Sequence, residues 1–203
     1  MIMSAACLST AYLAPVQYYS KLASFDEIHI EAMENYPKQT YRNRCLIAAA
    51  NGVQALTVPV EKPETLKAYT RDIRISGHGN WQHLHWNALV SAYNMSPFFE
   101  YYADDLRPFY EKDYKYLIEY NDSLQAVICN LLDIHPGIKH TGVYEQLPEN
   151  DFRNVIDPRH PLPDNDFTPR PYYQVFRDKH GFMPNLSIVD LLFNMGPESI
   201  LFL

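Results

Sequence analysis

Residues 45–60 read CLIAAANGVQALTVPV. Two apolar runs, Cys45–Ala49 and Val53–Val60, flank Asn51-Gly52, and Asn-Gly between such runs is the strongest short-range signal for a β-hairpin. The hairpin makes the first third of the chain strand-forming, and its neighbours agree. Phe25–Ala32 (FDEIHIEA) alternates, placing Ile28 and Ile30 on one face as a strand does. Tyr12–Lys21, with Pro15 early, fits a short helix entered at proline. Residues 1–10 read as a first buried strand ending at a turn, apolar but without the basic region of a signal peptide. On the other side of the hairpin, Thr70–Ser76 alternates again, with Ile73 and Ile75 in register.

Beyond residue 80 the period changes from two to 3.6. Asn80 is a good N-cap for a helix through Tyr93, in which Trp81, Leu84, His85, Ala88, Leu89 and Ala92 form one apolar stripe. A second helix is expected from Pro97 to Tyr110, broken before Pro108. A third runs from Asp113 to Leu132 on the seam Leu117, Asn121, Leu124, Ile128 and Leu131. Residues 145–171 carry six of the fifteen prolines and no hydrophobic period, which marks a long irregular segment of the kind that is functional or mobile. Ser187 with Asp190 matches a capping box, and Gly196-Pro197 ends that last helix. A C-terminus this apolar should dock on the body, shaping a pocket or a homodimer contact. The pattern gives an α/β (or α+β) single domain over residues 1–203, with a mixed sheet in a strand-rich N-terminal third and helical middle and C-terminal parts.

The chain has 203 residues, 47% hydrophobic and 20% charged, a globular composition. Seven glycines against fifteen prolines, with no G-x-G-x-x-G and no G-x-x-x-x-G-K-[ST], exclude the two commonest nucleotide cradles. A net charge of −7 argues against nucleic acid as a partner, because phosphate backbones need a basic field. No apolar run reaches the length of a membrane span. Cys7, Cys45 and Cys129 are scattered and form no C-x-x-C, which points to no zinc site, no disulfide framework and a cytoplasmic protein with reduced thiols.

The most informative stretch for chemistry is Glu34–Arg44, ENYPKQTYRNR. If Lys38–Arg44 is extended, Lys38, Thr40, Arg42 and Arg44 share one face and form a stripe able to hold a phosphate or carboxylate. Asn35, Tyr36 and Asn43 add hydrogen-bonding groups. The alternative is an edge strand using basic residues against aggregation. His83 and His85 lie two apart on a helix and make a poor metal pair. His85 sits on the apolar stripe one turn after Trp81, either as a hydrogen-bonded core residue or as a general acid–base. Asn121 interrupts an apolar seam, so it anchors backbone or faces a polar cavity. Cys45 reads as a small buried hydrophobe, and Asp190 as part of a cap.

AYLAPVQYYSKL, ENYPKQTYRNRCLI, NGVQALTVPV and NWQHLHWNALVSAYNMSPFF, in this order over residues 9–132, resemble the motifs of the WbqC-like proteins. That family shows a Y-L-P-x-x-Y-F type opening, a Q-Y-x-K-x-x-x-R-N-R-N type run, an L-T-V-P-V strand, and W-x-x-x-H followed by Y-x-x-x-P-[YF]-F. Tyr12, Tyr36, Lys38, Arg42, Asn43, Arg44, Trp81 and His85 match motif positions, and Asn121 resembles the asparagine of an L-x-x-x-N helix. Ser9-Thr10 replaces a Gln-Pro found before the tyrosine, and Cys45 replaces an asparagine. The resemblance implies a bacterial protein of surface-polysaccharide (O-antigen) biosynthesis that transfers glycine or a related acyl group to an amino sugar, with the cofactor open.

Two functions follow. In the first, Lys38, Arg42 and Arg44 hold the phosphates of a nucleotide-linked amino sugar, His85 takes a proton from its amine, Asn43 and Asn121 steady the oxyanion, and Trp81, Tyr12 and Tyr36 stack or hydrogen-bond. In the second, the chain is a non-catalytic module for an anionic ligand or a partner enzyme.

Overall fold

A computed structural model describes residues 4–63, 65, 67–146 and 150–203. Strand β1 (Ala5–Ser9), helix α1 (Val16–Ser24) and strand β2 (Glu27–Glu31) form a parallel βαβ unit in which Ala5 faces Glu27 and Ser9 faces Glu31. α1 starts after Pro15 (φ −66°), later than the sequence pattern suggests. Tyr12 and Leu13 instead make the turn out of β1, with Leu13 at φ 40°. A proline biases the residue before it away from the helical region, so the turn cannot wind into the helix.

Strands β3 (Arg44–Ala49) and β4 (Gly52–Thr57) pair antiparallel as the expected hairpin, with Ala49 opposite Gly52. The positive φ (104°) falls on Gly52 and on neither Ala50 nor Asn51, so the glycine follows the bend and closes the ladder. β5 (Gly137–His140) returns to lie parallel on the free side of β2, giving the order β1-β2-β5. The class is α/β, with parallel and antiparallel pairings in two separate sheets.

Thr70–Ser76 is not a regular strand. Thr70–Asp72 is a 3-10 turn, and Val60–Ile75 and Arg74–Tyr116 pair only as single bridges. The Arg74–Tyr116 bridge keeps residue 116 extended, which delays the third helix to Leu117.

Helix α2 spans Trp81–Tyr93, α3 Phe99–Leu106 with a 3-10 turn over Arg107–Tyr110, and α4 Leu117–Leu131. Asn80 precedes α2 as expected but is left-handed (φ 48°) and makes no side-chain cap. Trp81, His85, Leu89 and Ala92 are buried, whereas Leu84 is 60% exposed, so the buried stripe is narrower than the apolar one.

Among the described residues, 145–171 form no helix or strand, yet they are tied down. Asn150–Phe152 lie alongside β1, Phe152 N–H donating to Cys7 O at 2.9 Å while Cys7 N–H donates to Asn150 O at 2.8 Å. Lys21, buried in α1, pairs with Asp164 at 2.9 Å. After the short helix α5 (Arg177–His180), α6 (Ile188–Met195) is buried along most of its length and a 3-10 turn follows over Gly196–Phe202. The apolar tail is thus spent largely inside the chain.

The capping box does not form. Ser187 Oγ is turned to donate to Leu13 O at 2.7 Å and makes no side-chain cap on α6. Asp190 accepts from Tyr93 OH (2.8 Å), Tyr172 OH (2.7 Å) and Gln174 Nε2 (2.8 Å), and its burial raises its pKa. No helix among the described residues is long and apolar enough to cross a membrane.

Candidate functional site

In sheets of parallel strands, ligands bind beyond the carboxyl ends, where chain segments splay apart. Here those ends are Ser9, Glu31 and His140. Glu31, fully buried, gathers donors from three segments. Thr141 Oγ1 donates to it at 2.6 Å, Met33 N–H at 2.8 Å, Glu145 N–H at 2.9 Å and Arg153 Nη1 at 3.1 Å.

Three guanidiniums stand over this end of the sheet, each gripped by a carboxylate. Arg153 donates from Nε and Nη2 to Asp151 at 2.8 and 2.6 Å. Arg42 donates from Nε and Nη2 to Glu34 at 2.8 and 2.6 Å, and from Nη2 to Ser9 Oγ at 2.6 Å. Arg159 donates from Nε and Nη2 to Asp157 at 3.1 and 2.6 Å, and from Nη1 to Lys38 O at 3.2 Å. Such two-point pairing fixes the plane of each guanidinium. Burial alone would raise the Asp151 pKa, but the Arg153 hydrogen bond and charge hold it below the ordinary value. The Arg159 hydrogen bond does the same for Asp157.

The three arginines and Lys67 line a cleft of about 580 Å³, with Glu34 and Asp157 as the carboxylates of its wall. With Asp151 and Glu31 holding Arg153 from behind the wall, four cations meet four carboxylates, so the cleft is charge-balanced but rich in guanidinium N–H donors. A guanidinium carries five N–H donors, more than its carboxylate partner takes, so such a wall has the chemistry to hold a small anion.

The expected stripe of Lys38, Thr40, Arg42 and Arg44 does not form. Residues 38–43 turn instead of extending, with Gln39 at φ 61°. Thr40 is buried, Arg42 folds inward onto Glu34, and Arg44 leaves along the hairpin to Thr57 Oγ1 at 3.1 Å. Lys38 gives the cleft only its carbonyl, through Arg159. Asn43 and Asn121 brace this turn. Asn43 Nδ2 donates to Val58 O at 2.9 Å, and Asn121 Nδ2 to Arg42 O at 2.8 Å and Thr10 Oγ1 at 3.0 Å. Tyr36 stands partly buried beside the cleft, its phenol pushed up to about 12 by burial against the opposing charge of Arg42.

Tyr12, Trp81 and His85 come together in an aromatic core apart from the cleft wall. The Tyr12 hydroxyl lies 2.9 Å from His85 Nδ1 and 3.0 Å from Tyr110 OH. Trp81 meets the His85 ring edge-on at 5.2 Å between centroids. Burial lowers the His85 pKa to about 4, so the imidazole is neutral at pH 7. A histidine so packed, with Nδ1 engaged, does not reach the cleft.

The residues that sequence reasoning missed are Glu34, Lys67, Arg153, Asp157 and Arg159. Glu34 and Lys67 carry no signal, whereas for Arg153, Asp157 and Arg159 it is a repeated Asp-x-Arg in the proline-rich segment, Asp151-Phe152-Arg153 and Asp157-Pro158-Arg159. In both, the Asp Oδ1 accepts the backbone N–H of the arginine two residues on, at 3.0 and 2.8 Å, so a local turn aims the guanidinium.

Residues 10–160 match the WbqC-like protein family, a span that continues past residue 132 through both Asp-x-Arg elements. The chain is also similar to a Mycobacterium tuberculosis protein named uncharacterized protein Rv1507c, 28% identical over 219 residues that cover 96% of this chain and 94% of that one. No solved structure matches at a significant level. The chain belongs to the WbqC-like protein family.

Proposed function

We propose that this protein is a cytoplasmic transferase of surface-polysaccharide (O-antigen) biosynthesis that binds a nucleotide-linked amino sugar and passes a glycyl or other acyl group to its amine. The supporting observation is the cleft beyond the parallel strands, lined by the guanidiniums of Arg42, Arg153 and Arg159 and by Lys67. Planar guanidiniums held in fixed orientation suit the oxygens of a diphosphate. In the transfer, the free amine attacks the carbonyl carbon of an activated donor such as a thioester. The new N–C bond forms as the C–S bond breaks, and the amine proton leaves with the thiol. His85 enters this reading through its contact with Tyr12, as a support of the turn that follows β1, and not as the base.

A second reading, a non-catalytic module for the same anionic ligand, draws on one specific observation. Both carboxylates of the wall, Glu34 and Asp157, are already paired with arginine.

Native mass spectrometry with nucleotide-linked amino sugars and inorganic pyrophosphate tests the binding. The natural chain should retain them and Arg159→Ala should bind them about tenfold more weakly, the loss of one charge-assisted contact. Equal binding by both chains would remove the arginine cleft from the reading. Incubation with glycyl or acyl thioesters then separates the two readings: a sugar product heavier by the acyl mass supports the transferase, and binding without product supports the module.

A further inference from the structure

A second cleft of about 530 Å³ lies beside the first, and Lys67 and Tyr69 line both. The shared wall is fixed by main-chain hydrogen bonds to the chain leaving β2. Tyr36 N–H donates to Ala68 O and Thr70 N–H to Glu34 O, both at 2.9 Å, while Arg71 N–H donates to Ala32 O at 3.1 Å. The far wall carries Arg74 and Tyr116, and Glu61 N–H donates to Arg74 O at 2.9 Å, so both walls are braced.

The two clefts differ in chemistry. The first is a ring of arginines and carboxylates. The second presents aromatic rings backed by cations. Tyr69 is 43% exposed, with the Arg71 guanidinium 5.7 Å from its centroid. Tyr116 has Arg74 at 5.9 Å and Lys115 at 5.1 Å. Phenol rings and guanidinium planes are the surfaces on which a nucleobase stacks. Glu61 and Asp72 in the same cleft offer carboxylate oxygens to hydroxyl or amino donors.

Resting on the binding reading above, we propose that this second cleft is a nucleoside subsite. It takes the base and ribose of a nucleoside diphosphate whose phosphates lie against Arg153 and Arg159, with Lys67 at the junction. Either cleft alone has the size of an ordinary ligand pocket. Their common wall makes one ligand spanning both the economical occupant.

Titration calorimetry with inorganic pyrophosphate, uridine diphosphate and adenosine diphosphate tests this on the natural chain, Tyr69→Ser, Tyr116→Leu and Arg159→Ala. The expected result is that Tyr116→Leu, outside the first cleft, keeps pyrophosphate affinity within about twofold while losing about tenfold or more for the nucleotides, the scale of one lost stacking contact, and that Tyr69→Ser, whose ring lines both clefts, loses more for the nucleotides than for pyrophosphate. Arg159→Ala should weaken all three ligands. Tyr69 is exposed, so its variant carries the test even if Tyr116→Leu folds poorly. Nucleotide affinity unchanged in Tyr69→Ser, with pyrophosphate binding as tightly as the nucleotides to the natural chain, would overturn the subsite and leave the arginine cleft standing. Failure of all three ligands to bind the natural chain would overturn both. Nucleotide binding that Tyr69→Ser loses and Arg159→Ala keeps would support the subsite and overturn the phosphate placement.

Discussion

Arg153 Nη1 lies 3.1 Å from Glu31 Oε2, joining the proline-rich segment to the last residue of β2. The same guanidinium is held by Asp151, whose neighbours run alongside β1. One side chain thus ties the irregular segment to the end of the parallel sheet, and the cleft takes its shape from that tie.

Removing Arg153 should therefore destabilise the protein beyond the loss of one contact. Arg153→Met strips the charge partner from a fully buried carboxylate, and breaking a buried pair from one side costs about 3–5 kcal/mol. Adding Glu31→Gln should recover part of that loss, because the stranded charge goes too. Urea unfolding of the two variants checks this, and a double variant no more stable than the single one would contradict it.

The buried His85 predicts a pH dependence. Its folded pKa is depressed to about 4 from the ordinary 6.5, so between those values the unfolded chain binds the extra proton. The contribution of His85 is therefore lowest below pH 4, rises with pH through this window and levels off above pH 6.5. The full gain from this group is about 3 kcal/mol. In His85→Gln that part of the slope should vanish. The depressed aspartates act lower, their contribution being complete above the ordinary pKa of 3.8 and lost as pH falls below it. Denaturation midpoints collected from pH 3 to pH 8 separate the two.

Arg159 should behave differently from Arg153. Its side chain is 39% exposed, so its ion pair with Asp157 is partly screened, and Arg159→Ala should cost clearly less stability than Arg153→Met even though it leaves the buried Asp157 without its arginine. Its main effect belongs to ligand binding. A large fall in melting temperature for this variant would mean that Arg159 holds the fold and not the ligand.

Gly196 ends α6 at φ 56°, and a Cβ placed there would come within 2.5 Å of the Phe98 ring. Gly196→Ala should cost about 1–3 kcal/mol from overpacking and backbone strain together. Calorimetric melting measures it, and an unchanged midpoint would show that Phe98 can move aside.

The local elements were legible because they depend on neighbours in sequence. Asn51-Gly52 between apolar runs announced the hairpin, alternation around Ile28 and Ile30 announced β2, and the 3.6 period through Trp81, His85 and Leu89 announced α2. Misreadings arose where a distant group claimed the side chain. Asp190 looked like a cap because Ser187 precedes it by three, but Tyr93, Tyr172 and Gln174 converge on it from elsewhere. Residues 38–44 looked like an extended basic stripe, but Glu34 draws Arg42 out of it.

By itself, the sequence determined the strand β2, the β3–β4 hairpin, the helices α2 to α4, and that strands and helices mix in this chain, since propensity, periodicity and turn chemistry act over a few residues; it did not find β5 or the 3-10 turn at Thr70–Asp72. Only the tertiary structure decided where the charges meet. Whether Arg42 is a ligand for solvent or a partner for Glu34, whether His85 titrates near pH 7 or stays neutral in an aromatic core, and whether the Asp-x-Arg elements reach Glu31 all depend on burial and on contacts between residues far apart in the chain. Electrostatic energies are set by distance and surroundings in space, and spacing along the chain carries neither.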